Sequence, residues 1–283
     1  MIDVIKDTLF DSIKLLPFLF LAYLLMEYLE HKTGNKTKDI VKKSGKLGPL
    51  WGGIIGIFPQ CGFSAAAANL YAGKIITMGT LIAVFLSTSD EMLPILISEA
   101  APASLILKII AIKVAVGIIA GFIIDLVINV IGKTKKVEPE EAVGHMCEHD
   151  HCDCEHGIFK SALKHTINIF IFITIITFAI NTLIHFIGEE TIEKAIAGVP
   201  VLGILVSSIF GLIPNCAGSV IITELYLSNL ISFGSMIAGL LVGSGIGILV
   251  LFKSNKNIKE NLTITALLML VGIIVGLIID FVI

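Results

Sequence analysis

Seven apolar runs, at 15–29, 75–86, 103–131, 166–187, 198–213, 230–252 and 262–283, reach or approach the roughly 20 residues that cross a bilayer core. Such runs imply membrane helices, because in lipid a backbone N–H or C=O must find its partner within its own segment. With 55% hydrophobic residues, 15% charged residues and a mean hydropathy of +0.95, the chain leaves no stretch for a soluble domain. A net charge of −3 and the lack of a basic stripe exclude a nucleic-acid partner. Asp3, Asp7 and Asp11 precede the first apolar run and no small-residue cleavage site follows it, so that run is expected to be a retained span. No Walker-type loop, nucleophile elbow or HExxH helix occurs, so the chain is not expected to be an enzyme, and no cofactor is required.

The chain also repeats itself. A shift of 155 positions aligns 56–128 with 211–283 without a gap, and about 26 of the 73 aligned positions are identical. Pro59, Cys61, Ser64, Leu70 and Tyr71 fall on Pro214, Cys216, Ser219, Leu225 and Tyr226, and Asp125 falls on Asp280. Internal repeats of this kind are the usual build of secondary transporters. The first spans, 15–29 and 170–186, share the offset but little beyond hydrophobicity.

Lysines in short loops set the orientation. Lys32, Lys36, Lys38, Lys42, Lys43 and Lys46 place 31–46 in the cytoplasm; Lys133, Lys135 and Lys136 place 132–160 there, and Lys253, Lys256 and Lys259 place 253–260 there. The acidic loop 188–197 goes outside. An odd number of crossings must then separate 188–197 from 253–260, so the chain has to turn back within the membrane. The natural places are Pro59-Gln60-Cys61 and Pro214-Asn215-Cys216, where proline removes a backbone donor. The expected fold is an all-α polytopic membrane protein with two inverted repeats of about five helical segments each, broken at Pro59–Cys61 and Pro214–Cys216. The expected organisation is a first membrane repeat at 1–131, a cytoplasmic loop at 132–160 and a second repeat at 161–283. The alternative is a pair of kinked single helices, 47–72 and 198–228, in parallel repeats.

Backbone groups freed at a break need protein or a water-filled cavity, and inverted repeats bring their breaks together near the midplane. Cys61 and Cys216, flanked by Gln60 and Asn215, would make a ligand set for a soft ion. Equally, both cysteines can be small residues packing close helices. Charged groups at membrane depth cost roughly 2.5–3.5 kcal/mol or more, which singles out Asp90, Glu91 and Glu224. Asp90 and Glu91 follow Ser87-Thr88-Ser89, whereas their counterparts beyond Ser244 are Gly245 and Ile246; Glu224 is the counterpart of Asn69. Ser89, Ser244 and Asn69 complete the candidate ion-binding set. For Asp125 and Asp280, near helix ends, a structural place is expected.

His145, Cys147, His149, His151, Cys152, Cys154 and His156 fall within twelve residues of the 132–160 loop, a composition suited to Zn, Ni, Co or Cu. Their spacing is not that of a zinc finger, so a flexible acceptor that loads or senses metal is expected, against a plain linker. A reducing cytoplasm would keep those thiols free.

The paired GIFPQCGFS and GLIPNCAGS segments, the STSDEMLP run and the His/Cys loop resemble the ten-transmembrane heavy-metal exporters often labelled arsenic efflux proteins, with a sister group labelled manganese transporters. The resemblance covers nearly the whole chain. It implies a multi-pass protein of the cell membrane that exports a metal or metalloid ion through lipid-embedded helices. A coupling proton or sodium ion and a homo-oligomer are both left open. Competing readings are a divalent-cation exporter for Mn, Zn, Ni or Co, a permease for a small organic anion, and a membrane metal sensor or accessory subunit.

Overall fold

The computed structural model describes residues 13, 16, 17, 19–21, 23, 24, 47–58, 61–89, 92–131, 158–187, 200–214 and 216–282. Among them there are helices and short connections and no strand, so the chain is an all-α polytopic membrane protein. Eleven helices are described in full: α1 (Gly48–Ile55), α2 (Cys61–Ala72), α3 (Met78–Ser87), α4 (Met92–Ser98), α5 (Ala103–Ile131), α6 (Ile158–Ile187), α7 (Pro200–Gly211), α8 (Cys216–Leu227), α9 (Phe233–Val242), α10 (Gly247–Ser254) and α11 (Ile258–Val282). Helices α2 to α5 begin 155 positions before α8 to α11.

The apolar run 230–252 is not one helix. It breaks at Gly243–Ile246 into α9 and α10, as the earlier run breaks after Ser87 into α3 and α4. At about 1.5 Å per residue, α1 and α2 are roughly 12 and 18 Å long, too short for a hydrocarbon core of about 30 Å.

Glycines fix the packing by removing the side chain where two backbones meet. A Cβ on Gly79 would stand 2.1 Å from the Gly121 carbonyl, and one on Gly234 would stand 2.3 Å from that of Gly276. Gly117 faces Ala83 and Ser87, and Gly272 faces Ala238 and Val242, so α5 lies antiparallel to α3 and α11 antiparallel to α9. Gly48 meets Thr80, Gly52 meets Val84 and Gly56 meets Ser87, which makes α1 parallel to α3. Ser64 of α2 and Phe85 of α3 both reach Gly247, while the other end of α2 turns directly into α3. Helices α1 and α2 therefore run antiparallel, as the two arms of a hairpin.

Contacts between the halves give directions. Ser64 packs on Gly247, Asn69 bonds Ser254, and Lys74 bonds Glu260, so α2 and α10 run side by side in the same direction. Lys108 sits over the ring of Phe233 and Lys113 reaches Leu240, so α5 and α9 are also parallel. Since α5 is antiparallel to α3, helices α3 and α9 approach each other from opposite ends of the molecule.

The outer face is apolar: Ile119, Ile123, Leu126 and Val130 of α5 and Leu270, Ile274, Ile278 and Phe281 of α11 are exposed at helical spacing. Interior helix contacts use Gly, Ala, Ser and Thr, as expected where close approach rather than water exclusion holds helices together.

Candidate functional site

Two structural sites frame the molecule. The Thr77 hydroxyl accepts the Thr80 N–H at the start of α3 and donates to Asp125 Oδ2 at 2.6 Å, and the Gly79 N–H donates to Asp125 Oδ1 at 2.9 Å. In the second half the Ser232 hydroxyl accepts the Ser235 N–H and donates to Asp280 Oδ2 at 2.6 Å, and the Gly234 N–H donates to Asp280 Oδ1 at 2.8 Å. Each carboxylate thus satisfies orphan donors at a helix N-terminus and complements its dipole. Lys74, three residues before Thr77, bonds Glu260 at 3.2 Å. Glu260 and Asp280 are twenty positions apart on α11, about 30 Å. Asp125 and Asp280 therefore mark opposite ends of the bundle.

Between those ends lie the breaks. Helices α2 and α8 start at Cys61 and Cys216, whose backbones are described and whose side chains are not; Gln60, Asp90, Glu91, Asn215 and the 145–156 loop lie outside the described residues. Cys61 precedes Ser64 by one helical turn, and Ser64 packs against Gly247 at the start of α10, so the first turn of α2 lies beside the second half's break at 243–246. Helix α8 in turn packs against α4.

Asn69 is fully buried. Its Oδ1 accepts from Ser254 Oγ at 2.7 Å and from the Tyr23 hydroxyl at 3.2 Å, and its Nδ2 has no partner among the described residues. Glu224, its counterpart on α8, is exposed, so the two matched positions have different surroundings. Ser89 is buried, and its hydroxyl reaches the Ser87 carbonyl at 3.4 Å. Ser244 is 1% exposed, and its hydroxyl has no partner among the described residues. Among the described residues no three His, Cys, Asp or Glu side chains converge as a metal site.

Sequence reasoning passed over Lys113, which is 1% exposed in the middle of α5. Its Nζ donates to the carbonyl of Leu240 near the end of α9. Where α3 ends, the Ser87 and Thr88 hydroxyls turn back onto the Ala83 and Val84 carbonyls at 2.7 Å each. Val242 and Gly243 replace those two residues at the end of α9, where Lys113 reaches a different carbonyl, that of Leu240, the equivalent of Phe85, across the boundary between the halves. The available signal was asymmetry: the repeat places apolar Leu268 opposite Lys113.

A bundle of apolar helices with buried breaks, polar groups enclosed at those breaks and a charged residue at mid-depth has the build of a membrane transporter. The family model described as "Putative, 10TM heavy-metal exporter" matches residues 1–186 and 158–283, together the whole chain, and the chain belongs to that family. Neither a curated protein nor a solved structure matches it.

Proposed function

We propose that the chain is a secondary exporter of a heavy-metal or metalloid ion, and that its two halves are inverted repeats meeting at the breaks. The observation that carries this reading is the opposed approach of α3 and α9, with Asp125 and Asp280 at opposite ends and the buried breaks between. Two half-depth hairpins and two interrupted helices whose ends converge near the midplane are the arrangement alternating access requires.

In this reading Cys61 and Cys216, at the starts of α2 and α8, supply soft donors, with Gln60 and Asn215 beside them. Asn69, Ser89 and Ser244 supply polar contacts, and Asp90, Glu91 and Glu224 supply charge. Coupling is to a proton or sodium ion. The seven His and Cys residues of the 145–156 loop, placed in the cytoplasm by the neighbouring lysines, deliver metal to the path. The protein lies in the cell membrane, either alone or as a homo-oligomer. The carboxylates favour a second cargo class, divalent Mn, Zn, Ni or Co, because hard oxygen donors suit such ions while arsenite prefers several thiolates.

The test is survival and efflux of a sensitive host expressing the chain, challenged with a panel of these divalent metals and arsenite. For a thiophilic cargo, Cys61→Ser and Cys216→Ser should each abolish most efflux, and the double variant should add little, because residues of one site are non-additive. Efflux at the wild-type rate by both variants, at normal membrane abundance, refutes the thiolate site and leaves the carboxylates as the binding groups. Asp90→Asn or Glu224→Gln would then be the damaging change.

A further inference from the structure

We propose that the break between α9 and α10 is a binding site for a small monovalent cation, which in this chain is filled permanently by the ammonium of Lys113. A helix leaves its last carbonyls without backbone donors, and they carry the negative end of its dipole. At the end of α9 the Gly243 N–H bonds back to Gly239, which leaves the carbonyls from Leu240 to Val242 at the edge of the break. Gly245, at φ 53°, bends the chain away, and the buried Ser244 hydroxyl beside them has no partner among the described residues. Backbone carbonyls and a hydroxyl at an interrupted helix are the donors with which transporters hold sodium. Here one of those carbonyls already takes a cation, from a lysine 1% exposed on the other half.

One comparison within the molecule makes a plain packing role insufficient. The position equivalent to Lys113 is Leu268, fully buried, so a lysine is not needed to fill the space on this face of the helix. A buried ammonium is a costly group to place at membrane depth. It is economical if the position must hold one positive charge. A tethered cation meets that need whatever the sodium concentration, and it ties the two halves together at their boundary.

The site does not depend on the exporter reading, and its test does not require the cargo. Purified full-length protein in detergent is melted in sodium chloride, n-propylammonium chloride and choline chloride at equal ionic strength. n-Propylammonium matches the part of the lysine side chain that alanine lacks. Wild type should melt at the same temperature in all three salts. Lys113→Ala should melt at least about 3 °C higher in sodium or n-propylammonium than in choline, since a ligand that binds only the folded state raises its melting point. If that variant yields no folded protein, Lys113→Gln, which keeps length and a donor but no charge, serves in the same comparison. A variant no more sensitive to the small cations than wild type overturns the proposal. So does a wild-type protein that is itself stabilised selectively by sodium to the same degree, because its site would then not be filled by the lysine.

Discussion

At the scale of single residues, Asp125 and Asp280 repay comparison because they do the same work at opposite ends of the bundle. Each accepts a hydroxyl and a backbone N–H at the first turn of a neighbouring helix, and each bond has a charged acceptor. Asp125→Asn and Asp280→Asn keep the shape but remove the charge and turn one acceptor oxygen into a donor. Each should lower stability by about 1–2 kcal/mol, read as a fall in melting temperature of the purified protein. Because the sites share no partners, the double variant should lose the sum of the two; a shortfall would mean that the ends communicate through α11. The structural role of both residues was legible from their nearness to helix ends. That they serve other helices was not, since the Thr77–Asp125 pairing spans 48 positions. Lys113 escaped notice for a related reason: hydropathy averages over a window, and one lysine among apolar residues leaves α5 reading as an ordinary span.

At the scale of helices, periodicity and the repeat located most of what the structure contains. The run 103–131 coincides with α5, and the Pro-polar-Cys motifs precede the starts of α2 and α8. The break at 243–246 was harder to read as a helix end, because Gly, Ser and Ile in an apolar run can also continue a membrane helix. Its position is held by glycine. Gly247 lies where a Cβ would be 2.8 Å from both the Ser64 Cβ and the Phe85 ring, and Gly239 where one would be 2.9 Å from the Ser207 carbonyl. Gly247→Ala should therefore push α2 away from α10 and cut efflux severely. Gly218→Ala, whose Cβ would stand 3.1 Å from the Phe210 carbonyl and has no closer neighbour, should be milder. Efflux normalised to membrane abundance measures both. Equal activity of the two variants would mean that the contact between α2 and α10 does not bear on transport.

For the whole molecule, two expectations separate a transporter of opposed halves from its rivals. Deleting 145–156 removes every histidine and cysteine of the loop. A sensor would lose its function, while an exporter with its path between the helices should keep most of its flux at high cargo concentration. The more searching test concerns direction across the bilayer. Lys74 and Asn229 are equivalent by the repeat, and both adopt left-handed backbone at the turn after α2 or α8, with φ of 56° and 58°. They nonetheless fall at opposite ends: Lys74 beside Glu260 and the Asp125 cap, Asn229 three residues from the Ser232–Asp280 cap. Lysines at 253, 256 and 259 flank the first of these ends, so it should face the cytoplasm, and Asn229 should face outward. Single cysteines at 74 and 229, in a background with the five native cysteines replaced, should then react with an impermeant thiol reagent from opposite sides. Position 229 should label in intact cells and position 74 only after permeabilisation. Labelling of both from one side would require α3 and α9 to point the same way across the membrane. That is incompatible with the parallel pairs α2–α10 and α5–α9, and it would remove the physical basis for a path alternating between two equivalent halves.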